Sequence, residues 1–211
     1  MEASGPNTEQ ITYWNEVSGP KWVMLGDTIN GLIEGLGEAA LNAAAPTAGE
    51  AVVDVGCGCG QTSLALAGRV GPEGRVLGLD VSAPMLADAR RRADLADAVN
   101  LEFIQADAQT FGVEAGSADL LFSRFGVMFF QNPSAAFANL RRALRPDGRL
   151  SFICWQAMER NPWMLLPVRA ASAHIELPAP PECLARLLRA FAQRVPSASE
   201  TLRSAPACAL P

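Results

Sequence analysis

The chain has 211 residues, a formal charge of -5, a pI near 5.0 and 49% apolar residues. That length and apolar content suit one domain with a small appendage and exclude a disordered chain. The acidic balance speaks against nucleic acid held by the overall field, and no run approaches the ~20 apolar residues of a membrane-spanning helix, so neither nucleic acid nor membrane is expected as a partner.

The opening MEASGPNTEQ lacks the basic and apolar regions of a secretion signal, which makes the expected location cytoplasmic. Between residues 22 and 45, Leu25, Ile29, Leu32, Ile33, Leu36 and Ala40 recur as one face of a helix, although glycines interrupt it. PTAGE then breaks the chain, and the β-branched run AVVDV predicts a buried parallel strand. A glycine-rich stretch follows, and a helix is expected over Gln61–Val70. RVLGLD reads as the second strand; Ser82 can cap the next helix, with Pro84 in its first turn and Met85, Leu86, Ala89 and Ala93 on its inner face. LEFIQAD and ADLLFSR are a third and a fourth strand. Phe137, Leu140 and Leu144 mark a helix over Ser134–Leu144 closed by RPDG, and RLSFICWQ is the fifth strand. Beyond Trp155 a helix is expected over Asn161–His174, and Leu184, Leu187, Leu188, Phe191 and Val195 form a further amphipathic face. The Ala/Ser/Pro-rich end is expected to fray.

Strand and helix alternating at this spacing imply an α/β fold: a Rossmann-like, doubly wound, mostly parallel sheet with helices on both faces. The expected organisation is a helical segment over 1–45, a sheet core over 46–156 and a helical region over 157–211. Five cysteines, an odd number, suggest reduced thiols. Cys57 and Cys59 form C-x-C, but the chain has one histidine and no second pair at zinc spacing, so no metal site is expected.

Gly56, Gly58 and Gly60 cannot add to a core, so their use lies in backbone geometry or in letting a ligand approach the main chain. They stand at the carboxyl end of the first strand, where an open parallel sheet places its ligands. Asp80, at the end of the second strand, can accept two hydrogen bonds from a ribose diol. A dinucleotide loop needs a small residue where Gln61 stands, which weighs against a nicotinamide oxidoreductase.

The order apolar-apolar-Asp54-apolar-Gly56-x-Gly58-x-Gly60 resembles motif I of the class I S-adenosylmethionine-dependent methyltransferases. In that family the loop, here Gly56, Cys57, Gly58 and Gly60, approaches the methionine part of the cofactor. GRVLGLDVSAPMLADAR is similar to the next segment, which implies that Asp80 holds the ribose hydroxyls with Val81 and Met85 near the adenine. FIQADAQ resembles the following motif, in which Asp107 would accept from the adenine amino group and Ala108 would offer its backbone amide. The stretch from Ala118 to Leu150 resembles the fourth strand, its loop and the next helix, with Ser123 at the strand end beside the cofactor. The wording is nearest to the ubiquinone and menaquinone biosynthesis type of small-molecule methyltransferases, many of which carry an N-terminal segment like Tyr13-Trp14 that closes over the cofactor. The resemblance covers about Tyr13 to Trp155.

Other residues keep two readings. Asp54 orients the loop or lies near the cofactor's ammonium. Trp22 closes the site or is core. Phe125, Met128, Phe129 and Phe130 line an apolar acceptor pocket or pack the core. His174 is a general base or a surface residue, and Arg90, Arg91, Arg92, Arg141 and Arg142 are read as solvated helix backs. No catalytic residue is identified.

The resemblance implies S-adenosylmethionine as cofactor and in-line transfer of its methyl group to a small, partly apolar acceptor. The family's Asn/Asp-Pro-Pro-aromatic run for amine acceptors is replaced by SRFG. Members normally add two more strands after the fifth, for which the sequence offers no candidate. That leaves open a truncated or catalytically incompetent cofactor-binding module, and an exposed sheet edge through which self-association would follow.

Overall fold

A computed structural model describes residues 5–156 and 160–176. The chain divides after Cys154 into two units. The first opens with three helices, α1 (Thr8–Glu16), α2 (Ser18–Met24) and α3 (Gly26–Ala44). Strand and helix then alternate through β1 (Ala51–Val55), α4 (Gln61–Val70), β2 (Arg75–Asp80), α5 (Ala83–Leu95), β3 (Leu101–Gln105) and β4 (Ala118–Arg124). A 3-10 turn (Gly126–Phe129), α6 (Pro133–Ala143) and β5 (Leu144–Ile153) complete this unit. The second unit contains α7 (Pro162–Ser172), near the helix expected from Asn161 to His174. The amphipathic face expected at 184–195 and the Ala/Ser/Pro-rich end lie outside the described residues.

All pairings are parallel, in the order β3-β2-β1-β4-β5, as the alternation of elements predicts. Side chains of a strand alternate between faces, and both faces of this sheet are apolar. Val52, Val76, Leu120 and Phe122 meet Ala40, Leu41 and Ala44 of α3 and Leu66, Ala67 and Val70 of α4. On the other face Val53, Val55, Leu79 and Leu121 meet Leu140 and Ala143 of α6. Ser82 caps α5 and Asn132 caps α6, the latter accepting from Ala135 N at 3.0 Å, each with proline in the first turn. Val55 pairs with Leu79 and Asp80 with Gln105, so neighbouring strands end level and their outgoing loops share one edge.

Three expectations are corrected. The helix read over 22–45 is broken at Leu25, and its buried face is Ile33, Gly37, Ala40, Leu41 and Ala44, while Leu32 is 78% exposed. That face packs Ala40, Leu41 and Ala44 into the core and sets Gly37 against Arg124, where a Cβ would stand 3.1 Å from Arg124 Cδ. RPDG does not separate α6 from β5. Leu144 already pairs with Ala118, and the segment to Gly148 bulges before pairing resumes at Leu120–Arg149. The arginines of α5 are not simply solvated, since Arg91 and Arg92 both bond the buried Asp88, Arg92 reaches Asp27, and Arg90 donates to Phe103 O at 2.9 Å. Among the described residues β3 and β5 are the two sheet edges.

Candidate cofactor and active site

The glycine loop is folded back onto β2. Gly56 N and Cys57 N both donate to Leu79 O, at 2.8 and 3.1 Å. Gly56 has φ +69°, and a Cβ on it would lie 2.5 Å from Gly126 Cα, so the loops after β1 and β4 touch main chain to main chain. Gly58 and Gly60 share the left-handed conformation, Gly60 as the N-cap of α4.

Asp80 fastens this loop. Its Oδ2 accepts from Gly58 N and its Oδ1 from Ser82 N, both at 2.8 Å. Desolvation of the half-buried carboxyl raises its pKa, with the N–H bonds from Ser82 and Gly58 pulling the other way. Each carboxylate oxygen still has acceptor capacity for a hydroxyl.

Two further carboxylates stand beyond or at strand ends. Asp54 is fully buried; the hydroxyls of Thr62 and Ser63 donate to its Oδ2 at 2.8 and 2.6 Å. Burial raises its pKa, and those two hydroxyls and the charge of Arg124 oppose the rise. Asp107 Oδ1 accepts from Asn7 Nδ2 at 2.8 Å and from Gln109 N at 2.9 Å. The second oxygens, Asp54 Oδ1 and Asp107 Oδ2, are buried with no partner among the described residues, and so is Gln10 Oε1 on α1. All three are acceptors. A buried acceptor left unpaired costs about 1–3 kcal/mol, and more when charged, so such atoms mark where a ligand can donate.

Helix α1 is tied across these loops. Asn15 Nδ2 donates to Val81 O at 2.9 Å and Asn15 Oδ1 accepts from Ala83 N at 2.9 Å. Ser82 Oγ donates to Trp14 O at 2.8 Å, and Asn7 Oδ1 accepts from Gln131 N at 2.7 Å. The Trp14 ring makes edge contacts with Phe129 at 5.1 Å, Tyr13 at 5.9 Å and Trp22 at 6.0 Å. Tyr13, Trp14 and Trp22 are thus one aromatic cluster reaching the loop after β4.

The remaining residues separate by role. Met85 is buried, with its Cε 2.9 Å from where a Gly58 Cβ would stand, and Ala108 is buried beside Asp107. Cys57 packs among Leu86, Ala89 and Phe103, and burial pushes its thiol well up; Cys59 is pushed up to about 12. Both thiols are therefore small core side chains, and the loop presents main chain. The Ser123 hydroxyl donates to Val55 O at 2.7 Å and accepts from Gly126 N at 3.1 Å, so it is committed to joining the ends of β1 and β4. Phe130 packs on Phe137 in the core, whereas Phe129 meets Trp14. Phe125 is buried with φ +66°, an uncommon backbone for phenylalanine and one that clusters at working sites. His174 lies exposed just past α7.

Residues 52–148 match the family model described as a methyltransferase domain. Aklanonic acid methyltransferase DauC of Streptomyces sp. (strain C5) is 32% identical over 117 residues, 56% of this chain and 53% of that protein. The demethylmenaquinone methyltransferase of Lactococcus lactis subsp. lactis (strain IL1403) is 32% identical over 102 residues, 48% of this chain and 40% of that protein. A solved structure of a SAM-dependent methyltransferase from Aquifex aeolicus superposes with a TM-score of 0.54 at 25% identity, covering 57% of this chain and 64% of that one. Residues 52–148 thus form a methyltransferase domain of the class I, S-adenosylmethionine-dependent kind. The chain spans about half the length, or less, of these curated relatives.

S-adenosylmethionine is the cofactor of class I methyltransferases, and the strand-end residues fit it. It brings hydrogen-bond donors, namely an amino group, a ribose diol and an ammonium, together with a positive sulfur. The unpartnered buried atoms are acceptors and two of them belong to carboxylates. A pyrophosphate would need the opposite set. The motifs do not contain Asn7, Gln10 or Asn15. Their signal in the sequence is polar amides recurring around Ile11 and Trp14 on an otherwise short helix, a pattern with no meaning until the helix is seen to lie on the loops.

Proposed function

We propose that this methyltransferase binds S-adenosylmethionine across the ends of β1, β2 and β3 and methylates a small, partly apolar acceptor on the side of Trp14 and Phe129. The observation that carries the reading is the set of buried acceptors without a partner among the described residues, Asp54 Oδ1, Asp107 Oδ2 and Gln10 Oε1, on or beside elements that meet the carboxyl ends of the strands, where Asp80 also stands. Asp80 would hold the ribose diol, Asp107 the adenine amino group with Ala108 N beside it, and Val81 and Met85 the faces of the base. Asp54 and the main chain of Gly56, Cys57, Gly58 and Gly60 would flank the methionine portion.

When bound, the cofactor supplies a methyl carbon already activated by positive sulfur. The protein's part is then alignment of an acceptor in line with that carbon and exclusion of water, and positioning of this kind is worth ~7–11 kcal/mol. Trp14, Tyr13 and Phe129 are placed to exclude water once α1 lies across the loops. The carboxylates at 80 and 107 would hold neutral parts of the cofactor far from the transferred carbon, so acceleration rests on orientation. The relatives are named for acceptors as different as aklanonic acid and demethylmenaquinone, which supports a small-molecule acceptor and leaves its identity to experiment.

Isothermal calorimetry with S-adenosylhomocysteine, with NAD as control, tests the cofactor. Binding of the first and not the second is expected; the reverse overturns the reading. A methyl-release assay over small apolar acceptors then tests transfer, and binding without turnover on any of them would favour a binding-only module.

A further inference from the structure

Asn7 stands immediately before α1, outside every motif that carries the family resemblance. It is 5% exposed, and its two side-chain groups serve loops distant in sequence. Nδ2 donates to Asp107 Oδ1 at 2.8 Å, and Oδ1 accepts from Gln131 N at 2.7 Å. Gln109 N donates to the same Asp107 oxygen at 2.9 Å. Two donors on Oδ1 fix the rotation of the carboxylate, and the consequence is the buried Oδ2 with no partner among the described residues. Without Asn7 the carboxyl could turn and satisfy itself from Gln109 N with either oxygen. An amide suits this place because it donates to a carboxylate at one end and accepts from an N–H at the other.

We infer that Asn7 is a positioning residue: it aims Asp107 Oδ2 at the exocyclic amino group of the bound purine and so makes the site selective for a 6-amino over a 6-oxo base. The inference rests on the proposed role of Asp107 and deepens it. In a 6-oxo purine the amino donor becomes a carbonyl, which would set oxygen against Oδ2, and ring N1 gains a hydrogen that would face the backbone N–H of Ala108. Both contacts are reversed in sense.

The test is calorimetric titration of the full chain with S-adenosylhomocysteine and with S-inosylhomocysteine, its 6-oxo counterpart. The wild-type protein should prefer the adenosyl ligand on the order of 100-fold. Asn7→Ala should bind the adenosyl ligand roughly tenfold more weakly and the inosyl ligand unchanged, so the preference falls to about tenfold. Asn7→Asp keeps the acceptor for Gln131 N but sets a carboxylate against Asp107. With the donor to Asp107 lost, its preference for the adenosyl ligand should fall as that of Asn7→Ala does. A wild-type protein that binds both ligands alike overturns the role of Asp107 and the inference with it. An undiminished preference in Asn7→Ala, or equal losses for the two ligands, overturns the inference alone. Should Asn7→Ala fail to fold, an undiminished preference in Asn7→Asp does the same.

Discussion

Replacing Asp80 by alanine perturbs two things at once, and the structure lets them be separated. Its carboxylate accepts from Gly58 N and Ser82 N at 2.8 Å each, so it anchors the glycine loop before any ligand arrives. Hydrogen bonds to a charged acceptor contribute about 1.5–3 kcal/mol each. Water can replace part of this at a half-buried position, and burial already disfavours the ionised form. The unliganded Asp80→Ala protein should therefore lose about 2 kcal/mol, or roughly 4–8 °C in Tm for a chain of this size. Loss of the ribose contact should weaken cofactor binding by a further ~1.5–3 kcal/mol, a factor of about 10–150. At about 100 times the wild-type Kd, ligand stabilises the wild type by about 2.7 kcal/mol, and a thirtyfold weaker Kd leaves about 0.9. Scanning calorimetry with and without S-adenosylhomocysteine reads both quantities. A variant that melts at the wild-type temperature without ligand refutes the anchoring role, and one that keeps the full ligand shift refutes the ribose role.

Gly56→Ala and Gly58→Ala share the cost of a left-handed alanine, about 1–2 kcal/mol, but differ in what the new Cβ meets. At Gly56 it is the Gly126 main chain at 2.5 Å and at Gly58 the flexible end of Met85 at 2.9 Å, so Gly56→Ala should be the worse by about 1–3 kcal/mol in urea melts; coincident midpoints would contradict this. Arg149 grips Glu50 through two bonds of 2.7 and 2.8 Å and holds its carboxyl at about 2, against an ordinary 4.5. A depressed folded-state pKa stabilises above 4.5 and the benefit is lost as the pH falls towards 2. Arg149→Met should thus cost about 2 kcal/mol at neutral pH after solvent screening, by a gap that narrows in acid; a gap independent of pH would contradict the pairing. Asp54 runs the other way: its raised pKa means that the stability it contributes at low pH is lost as the pH rises through that value. Asp54→Asn should accordingly hold its stability better as the pH rises above about 4 while binding cofactor on the order of tenfold more weakly, and undiminished affinity would show that Oδ1 meets no ligand donor.

The sheet was legible in the sequence because a strand buried on both faces must be apolar throughout, and AVVDV, RVLGLD and ADLLFSR say so locally. The glycine loop was legible for a related reason: three left-handed positions in five residues can hardly be filled otherwise, and Asp80 stands at a distance set by one crossover. Where long-range contact decides, local pattern failed. Leu32 has the spacing of a core residue and is exposed, since α3 packs on the sheet through Ala40, Leu41 and Ala44 instead. Phe129 and Phe130 are adjacent and chemically alike, yet one meets Trp14 and the other Phe137.

The sequence by itself determined the parallel fold, the glycine loop after the first strand and the carboxylates at the strand ends, all of which follow from residue type at short spacing. Only the tertiary structure decided what these groups do: that Asp80 holds the loop, that the Ser123 hydroxyl is committed to the main chain, and that Asp54 and Asp107 each keep one oxygen without a partner among the described residues. It also joined Asn7 to Asp107 across a hundred residues. Hydrogen-bond satisfaction belongs to pairs of groups, and a partner brought in by the fold leaves no trace in the residues on either side.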